Sequence, residues 1–258
     1  MTDNVLLVER HGHVARWTLN RPQAMNSFNT SLLVALNEEL DRLERDDDVR
    51  AVIITGAGDR AFSAGADLKE RKTMPPEEVP RFVRLIGSTF ARVAGTRVPT
   101  IAAIGGFALG GGLELALACD LRVVGPKAKV GLTETRLAII PGAGGTQRLT
   151  RLVGIGRAKE LILTGRRIDA DEAVALGLAE RKADDAVAGA HELADAIAAG
   201  GPVAIAAAKA AIDGGADMSL ERALQWETAC YQRTIPTRDR LEALAAFAEK
   251  RPPVFEGR

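Results

Sequence analysis

One carboxylate, Glu114, lies inside the glycine-rich stretch Ala103–Asp120, which is otherwise apolar as far as Cys119. Because an ionised side chain is costly to remove from water, this setting indicates either a functional carboxylate or a charge paired with a helix terminus. Three glycines, Gly110–Gly112, precede it and lead into a predicted helix over Leu113–Cys119. Free N–H groups at a helix start bind anions, and glycines let a ligand approach the backbone closely. Since Gly111 and Glu114 lie about one turn apart, a backbone donor and an acid/base group can face one cavity.

Two further segments carry residue types that suit the same chemistry. Ala64–Asp67 combines small residues, which permit close backbone approach, with a carboxylate that can brace the loop; a plain turn is the alternative. The segment Gly131–Leu149 holds a second carboxylate, Glu134, and a glycine loop at Gly142. Two carboxylates in one pocket can hold a water between them, one as base and the other as acid. Taken alone, Glu134 also fits a solvated loop.

The motifs of several competing chemistries are absent from the sequence. No G-x-G-x-x-G, G-K-[ST], H-E-x-x-H or G-x-S-x-G pattern occurs, so nicotinamide, P-loop, zinc-protease and serine-nucleophile sites are not indicated. The two cysteines, Cys119 and Cys230, are far apart, which argues against a disulfide framework or a zinc site. We therefore expect no metal.

The charge balance also narrows the choice of partners. The 258 residues include 34 Lys and Arg and 34 Asp and Glu, a formal net charge of zero, with 47% hydrophobic residues. This composition is typical of a globular protein with a real core and gives no bias towards nucleic acid or anionic membrane. No apolar run approaches the roughly 20 residues of a membrane span, and the N-terminus lacks a signal or transit pattern. We expect a cytoplasmic protein without nucleic-acid or membrane partners.

In the first part of the chain, the predicted strands and helices that would position these segments alternate. From about Asp185 onwards, the chain is predicted to be mostly helical. This order predicts an α/β core followed by a helical C-terminal part. The apolar face of the first helix, Thr30 to about Arg45, consists of leucines at helical spacing. Phe62–Lys69 is predicted to be a loop. The other predicted elements are a hairpin (Val5–Glu9 and Val14–Asn20), strands Ala51–Thr55, Pro99–Ile104, Leu121–Val124, Lys129–Leu132 and Ala179–Lys182, and helices Glu77–Ala94, Gln147–Leu152, Arg157–Thr164 and Ala170–Leu176.

Together these segments resemble the enoyl-CoA hydratase, or crotonase, superfamily over nearly the whole chain. The likeness is carried by A-G-A-D-L-K-E-R, P-T-I-A-A-I-G-G-F-A-L-G-G-G-L-E-L-A-L-A-C-D, L-A-I-I-P-G-A-G-G-T-Q-R-L-T-R and A-F-A-E-K-R-P-P-V-F. Within the superfamily, Ala64–Arg71, Thr133–Pro141 and Cys230–Arg251 most resemble the methylglutaconyl-CoA hydratase branch. The resemblance implies a crotonase-type α/β spiral of ββα units over residues 1–195. It also implies a helical oligomerisation region over residues 196–258 that forms homotrimers, usually paired into hexamers.

The resemblance further implies where an enoyl-CoA substrate would bind. The thioester carbonyl would accept hydrogen bonds from the N–H groups of Ala66 and Gly111, which form an oxyanion hole. Glu114 and Glu134 would hold the attacking water, with Glu134 supplying the α-proton and Glu114 helping to activate the water. Gly142 would lie at the water site. The implied coenzyme A contacts are Ala64, Asp67, Leu68 and Lys69, together with Phe247 and Lys250 from the same or a neighbouring subunit.

The implied activity is hydration of a 2-enoyl-CoA, with 3-methylglutaconyl-CoA as the favoured substrate and short-chain enoyl-CoA next. Coenzyme A is part of the substrate, so no separate cofactor is expected. An isomerase, or another enzyme acting on CoA thioesters, is the alternative on the same fold. A distal substrate carboxylate would need a cation, for which Arg136 is the first candidate, followed by Arg71 and Arg84; surface positions or CoA phosphate contacts are the alternative.

A different class of function, RNA binding, is a further alternative, because the similar animal methylglutaconyl-CoA hydratase binds AU-rich RNA through a lysine-rich first helix. Here the matching helix is acidic and would repel phosphate. We therefore expect no specific RNA binding. The acidic residues are Glu38, Glu39, Asp41, Glu44 and Asp46–Asp48.

Overall fold

The computed structural model describes residues 4–258, which form two β-sheets flanked by helices. The strands are β1 (Leu6–His11), β2 (Val14–Leu19), β3 (Ala51–Gly56), β4 (Ala61–Ser63), β5 (Thr100–Ile104), β6 (Phe107–Leu109), β7 (Leu121–Val124), β8 (Lys129–Gly131), β9 (Ile168–Asp169) and β10 (Arg181–Lys182). The helices are α1 (Thr30–Leu43), α2 (Leu68–Thr73), α3 (Val79–Ala94), α4 (Gly111–Ala118), α5 (Gly145–Val153), α6 (Ile155–Thr164), α7 (Ala170–Ala175), α8 (Ala186–Ala198), α9 (Pro202–Gly215), α10 (Leu220–Gln232) and α11 (Arg238–Glu249). Short 3₁₀ helices cover Pro22–Ala24 and Glu134–Leu137.

From β3 to β8, successive strands alternate between the two sheets. The larger sheet has the order β1-β2-β3-β5-β7-β10 and the smaller sheet the order β4-β6-β8-β9. The pairs β1/β2 and β8/β9 are antiparallel and the other pairs are parallel. Each of the strand pairs β3–β4, β5–β6 and β7–β8 therefore gives one strand to each sheet before the chain continues into a helix. This arrangement confirms the predicted spiral of ββα units.

The smaller sheet brings the chemistry-bearing segments to one edge. Its strands β4, β6 and β8 are neighbours and parallel, so their carboxyl ends point the same way. The chain leaves β4 through Ala64–Asp67, leaves β6 through Gly110–Gly112 and leaves β8 towards Glu134. In open α/β sheets, ligands bind beyond the carboxyl ends of the strands. The fold thus places the three segments around one location.

The larger sheet separates two apolar cores. In β3, Val52 and Ile54 face the main core, whereas Ala51 and Ile53 face a second core, as the two-residue period of a strand requires. The second core is closed by α8, which packs against the sheet through small residues such as Ala190. The predicted leucine face of α1 is confirmed, since each leucine is at most 4% exposed. These leucines are Leu32, Leu33, Leu36, Leu40 and Leu43.

Some local predictions were wrong in their bounds. The segment 62–69 is not one loop, because β4 pairs with β6 at its start and α2 begins at Leu68 near its end. Helix α3 begins at Val79 rather than Glu77, with a proline in its first turn. Strands β6 and β9 were not predicted. They contain three and two residues, too few to show a hydrophobic period, and exist because they pair with β8.

The C-terminal helices leave much apolar surface exposed. The predicted domain boundary after residue 195 falls within α8, whose packing on the larger sheet joins the whole helix to the core. Beyond it, α9, α10 and α11 expose the large apolar side chains of Ile212, Leu220, Leu224, Trp226, Leu241, Leu244 and Phe247. Within residues 4–258 no single helix is long and apolar enough to span a membrane; α8 and α9 pass such a test only together, across a bend of 108°.

Candidate active site

A cavity of about 560 Å³ lies at the carboxyl edge of the smaller sheet. Its lining includes the predicted oxyanion-hole residues Ala66 and Gly111, both predicted glutamates, Glu114 and Glu134, and Gly142. Val83 and Ile86 of α3, among others, supply apolar wall. A largely apolar cavity with a few converging polar groups is the usual form of a small-molecule site.

The backbones that carry Ala66 and Gly111 approach each other closely. Gly65 has a φ of 93°, and a Cβ at this position would lie 3.0 Å from the nitrogen of Gly111 and 2.9 Å from the carbonyl oxygen of Leu109. Only glycine fits there without strain. The N–H groups of Ala66 and Gly111 donate to no acceptor within residues 4–258. Two neighbouring free donors suit an oxygen atom that gains negative charge during a reaction.

Glu114 is held on the first turn of α4 with its carboxylate bonded to backbone. Its side chain is 3% exposed, and Oε1 accepts hydrogen bonds of 2.8 Å from the N–H groups of Ala143 and of Gly145. Burial raises the pKa of Glu114, although these two N–H groups and the charge of Arg148 act to lower it. The bonds favour the ionised form of this carboxyl group.

Glu134 is the less well hydrogen-bonded member of the pair. It starts the 3₁₀ helix after β8, is 9% exposed, and its Oε2 is buried and has no hydrogen-bond partner within the described part of the chain. Burial and, secondly, the negative charge of Glu114 raise the pKa of Glu134 to about 7. Because Glu114 accepts from two N–H donors whereas Oε2 of Glu134 accepts from none, these contacts favour Glu134 as the holder of a single proton shared by the pair.

The predicted coenzyme A contacts fall into two groups. Ala64 and Leu68 line the cavity, and Leu68 is 54% exposed at its edge. Lys69 is exposed on α2 outside the lining. Phe247 and Lys250 lie on and just after α11, exposed and also outside this cavity. The chain itself therefore brings Ala64 and Leu68 to the site, and the CoA roles of all these residues stay predictions.

Asp67 braces the loop, as expected. It is 8% exposed, its Oδ1 accepts from the N–H groups of Lys69 and Glu70 at the start of α2, and its Oδ2 pairs with Arg21 at 2.8 Å. Burial acts to raise the pKa of Asp67, but the hydrogen bond from Arg21 and the two N–H groups hold it below its usual value. Both oxygens of this carboxylate thus stabilise the turn that carries Ala66.

The structure alters the order of the arginine candidates. Arg71 lines the cavity, whereas Arg136 packs against Gly165 and Arg84 faces another surface groove beside Ser88. Arg136 follows Glu134 by two residues on a 3₁₀ helix, which has three residues per turn, so the two side chains point in different directions. The geometry does not support the preference for Arg136, and Arg71 takes its place.

Sequence reasoning missed the groups that hold Glu114. The N–H donors of Ala143 and Gly145 lie at the start of α5, which begins at Gly145 and not at Gln147 as predicted. The glycine run there could have suggested a donor-rich helix start, by the reasoning applied to Gly110–Gly112. Arg148 gave no such signal, since an arginine on an amphipathic helix reads as a solvent-facing residue.

Within residues 4–258 no group of three or more His, Cys, Asp or Glu side chains is placed to hold a metal ion. The polar groups that line the cavity include two carboxyl groups, backbone N–H groups and the side chain of Arg71. Such a set is suited to proton transfer and to the binding of a developing oxyanion.

The two-sheet spiral and the glutamate pair define a protein of the crotonase superfamily. The sequence model described as "Enoyl-CoA hydratase/isomerase" matches residues 9–258, and the chain belongs to this family. The protein YngF of Bacillus subtilis is 50% identical over the full length of both chains. Human mitochondrial methylglutaconyl-CoA hydratase is 49% identical over 245 residues, which are 93% of this chain and 72% of that protein.

A solved structure shows the same fold. The 1.8 Å crystal structure of enoyl-CoA hydratase from Bacillus anthracis has a TM-score of 0.97 and 49% sequence identity, covering 98% of this chain and all of the other. The predicted crotonase fold is therefore confirmed, and so is the relationship to the methylglutaconyl-CoA hydratase branch. The chain is an enzyme of the hydratase type.

Proposed function

We propose that this enzyme adds water across the 2,3 double bond of a 2-enoyl-CoA thioester, with 3-methylglutaconyl-CoA as its favoured substrate and short-chain enoyl-CoA next. The observation that carries the proposal is the pair of buried carboxyl groups, Glu114 and Glu134, in one cavity with two free N–H donors. Hydration needs a base for water, an acid for the α-carbon and a site for the enolate oxygen. The cavity offers all three.

The reaction uses these groups in a defined order. The thioester carbonyl accepts hydrogen bonds from the N–H groups of Ala66 and Gly111, which draws electrons from the double bond towards oxygen. Ionised Glu114 takes a proton from water as the water oxygen bonds to the β-carbon. Neutral Glu134 then gives its proton to the α-carbon, and the proton on Glu114 restores the starting state once it returns to Glu134. Loss of one oxyanion donor typically slows such a reaction by about 10²–10³.

The presence of both carboxyl groups favours hydration over isomerisation. Moving a double bond within the acyl chain requires one group that removes and returns a proton, whereas adding water requires a base and an acid at once. The second carboxyl group, bonded to the N–H groups of Ala143 and Gly145, is suited to hold the attacking water's proton. An isomerase on the same scaffold is the alternative, and the product distinguishes the two.

The substrate preference is supported by Arg71 and by the relatives. Arg71 is the one Arg or Lys that lines the cavity within the described residues, and it forms no ion pair there. An unpaired guanidinium suits a carboxylate at the far end of an acyl chain, such as that of 3-methylglutaconyl-CoA. One relative with 49% identity is a methylglutaconyl-CoA hydratase. A CoA phosphate is the other anion that this arginine could bind.

Hydration is tested with crotonyl-CoA and 3-methylglutaconyl-CoA, by loss of the enoyl-thioester absorbance and NMR of the product. Glu114→Gln and Glu134→Gln should each lose about 10²–10⁴ of kcat, the usual contribution of an acid or base, while still binding CoA. Glu221→Gln changes an exposed side chain on α10; it is the matched control and should keep wild-type activity. Full activity in Glu114→Gln, or a product with a shifted double bond, would contradict the proposal.

The acyl preference is tested separately by Arg71→Leu. We expect kcat/KM for 3-methylglutaconyl-CoA to fall by about tenfold or more, the value of one charge-assisted hydrogen bond, with crotonyl-CoA turnover nearly unchanged. Arg84→Leu is the control, because this neighbouring arginine lies outside the cavity lining. Equal losses on both substrates in Arg71→Leu would assign the arginine to a CoA phosphate.

We further propose that this chain forms an oligomer, works in a reducing compartment and does not bind RNA. Exposed apolar side chains on α10 and α11, such as Leu244 and Phe247, support a homotrimer or a dimer of trimers, which sedimentation equilibrium would identify. Cys119 and Cys230 are both free and buried, which fits a reducing cytoplasmic location. RNA binding is not favoured, because the acidic side chains of α1 repel phosphate and hold a nearby arginine, Arg92, in an ion pair with Asp41.

A further inference from the structure

The guanidinium of Arg148 lies behind the glutamate pair without an ion-pair partner. Arg148 is partly buried on α5, and within residues 4–258 no carboxylate oxygen lies within 4.0 Å of its guanidinium nitrogens. Burial lowers the pKa of this guanidinium, while the charge of Glu114 acts to raise it. A cation that is partly removed from water without a carboxylate partner costs free energy, which makes a functional role worth testing.

Arg148 is bonded to the turn that holds Glu114. Its Nη1 donates to the carbonyl oxygen of Ala143 at 3.0 Å, and the N–H groups of Ala143 and Gly145 both donate to Glu114. The residue between them, Gly144, has a φ of 102°, and a Cβ there would collide with Nη1 of Arg148. The glycine thus provides both the backbone turn and the space for the guanidinium.

Charged groups lie on two sides of the turn Ala143–Gly145, which holds Glu114. Glu114 faces Glu134 on the side of the active-site cavity; burial raises the pKa of Glu114, and the charge of Arg148 on the other side acts against this rise. Behind Arg148 lies a second cavity of about 790 Å³, between α4, α5 and α9. Its other titratable side chains are Arg97, Cys119, Asp120, Arg122, Arg151, Lys209, Asp213, Asp217 and Arg233. Lys209 pairs with two of these acids and Arg151 with the third, so the acids of this cavity are already matched.

We propose that Arg148 is a positioning residue for the hydration described above, on which this inference rests: it fixes the Ala143–Gly145 turn against Glu114 and keeps Glu114 ionised. The shared proton then stays on Glu134, where the α-carbon needs it. Without the guanidinium, the carbonyl of Ala143 loses its donor, the turn is freer to move, and a charge that opposes protonation of Glu114 is gone.

The test compares Arg148→Met with Arg151→Met, a change of the same chemistry on the same helix. Arg151 also lines the second cavity but has no bond to the Ala143–Gly145 turn. In Arg148→Met, we expect the acid limb of the pH profile of kcat for crotonyl-CoA to move to higher pH by about one unit. At pH values below that limb, kcat should fall by about tenfold, with little change in KM. Arg148→Lys should restore part of the loss, and Arg151→Met should match the wild type.

An infrared titration of the protonated-carboxyl band, assigned with Glu114→Gln and Glu134→Gln, locates the proton without turnover. If the wild type fails to hydrate enoyl-CoA but Arg148→Met still moves the Glu114 titration, the proposed function fails and the positioning role stands. The role is overturned if Arg148→Met leaves both the titration and the acid limb at their wild-type positions, or if Arg151→Met has the same effects. Should Arg148→Met not fold, Arg148→Gln, which keeps a donor but no charge, is measured against the same criteria.

Discussion

Replacing Glu134 by glutamine should change how the stability of the protein depends on pH. In the folded protein, burial and the charge of Glu114 raise the pKa of Glu134 from 4.5 to about 7. The unfolded chain has the ordinary value, so folding favours the protonated form. The rise from 4.5 to about 7 corresponds to roughly 3 kcal/mol of unfolding free energy. Since Glu134 is only 9% exposed, solvent screening reduces this figure little.

The sign of the effect follows from the raised pKa. The stabilisation is fully present below 4.5, the ordinary value, and is lost as the pH rises through about 7. Glutamine has a similar shape but cannot ionise, so Glu134→Gln lacks this loss. Relative to the variant, the wild type should therefore lose roughly 3 kcal/mol between about pH 4 and about pH 8.

The assay is urea unfolding followed by circular dichroism across this pH range, at one protein concentration because assembly also affects apparent stability. Glu114→Gln provides a second comparison: it removes the neighbouring negative charge, and the pH dependence from Glu134 should become smaller. If the unfolding free energies of wild type and Glu134→Gln run parallel with pH, the carboxyl is not held neutral by its surroundings. The assignment of the shared proton to Glu134 would then be wrong.

Other substitutions test the supports of the site and the core. Gly65→Ala places a Cβ at positive φ and 3.0 Å from the nitrogen of Gly111, so it should cost about 1 kcal/mol or more in urea unfolding and lower kcat more than CoA affinity. Arg122→Met leaves the carbonyl oxygens of Cys119, at the end of α4, and of Leu178 without a donor and should lower the unfolding free energy by roughly 3 kcal/mol. Arg181→Met, at a partly exposed surface ion pair, should change it by about 0.5 kcal/mol or less; equal effects would refute this. Leu36→Ala, in the main core, should cost about 2–5 kcal/mol in the same assay while folded enzyme keeps its kcat.

Much of the fold and of the site can be predicted from the sequence, because some signals are local. The apolar face of α1, the buried strands of the larger sheet and the glycine run before Glu114 each show their structure within a few residues. The likeness of several motifs to one superfamily then joined Ala66, Gly111 and Glu134 to the same cavity, which the structure also does.

What could not be predicted depends on contacts between distant residues. Strand β9 has two residues and exists only because β8 lies beside it. The side chain of Arg136 was expected in the cavity, but the tighter turn of the 3₁₀ helix directs it to Gly165. Arg148 acquires its significance from the Ala143 carbonyl and from Glu114 on another helix. The helical periodicity of the sequence does not predict contacts of this kind.

The alternation of successive strands between two sheets also sets when activity can appear during folding. Each wall of the cavity follows a different strand of the smaller sheet, and each parallel pairing in that sheet joins segments separated by a strand and at least one helix of intervening chain. Pairings between distant segments form slowly, since loop closure precedes any gain from contact. Activity should therefore return late on refolding, after helical circular dichroism. Transient opening of any one ββα unit in the native protein would silence the enzyme before it unfolds.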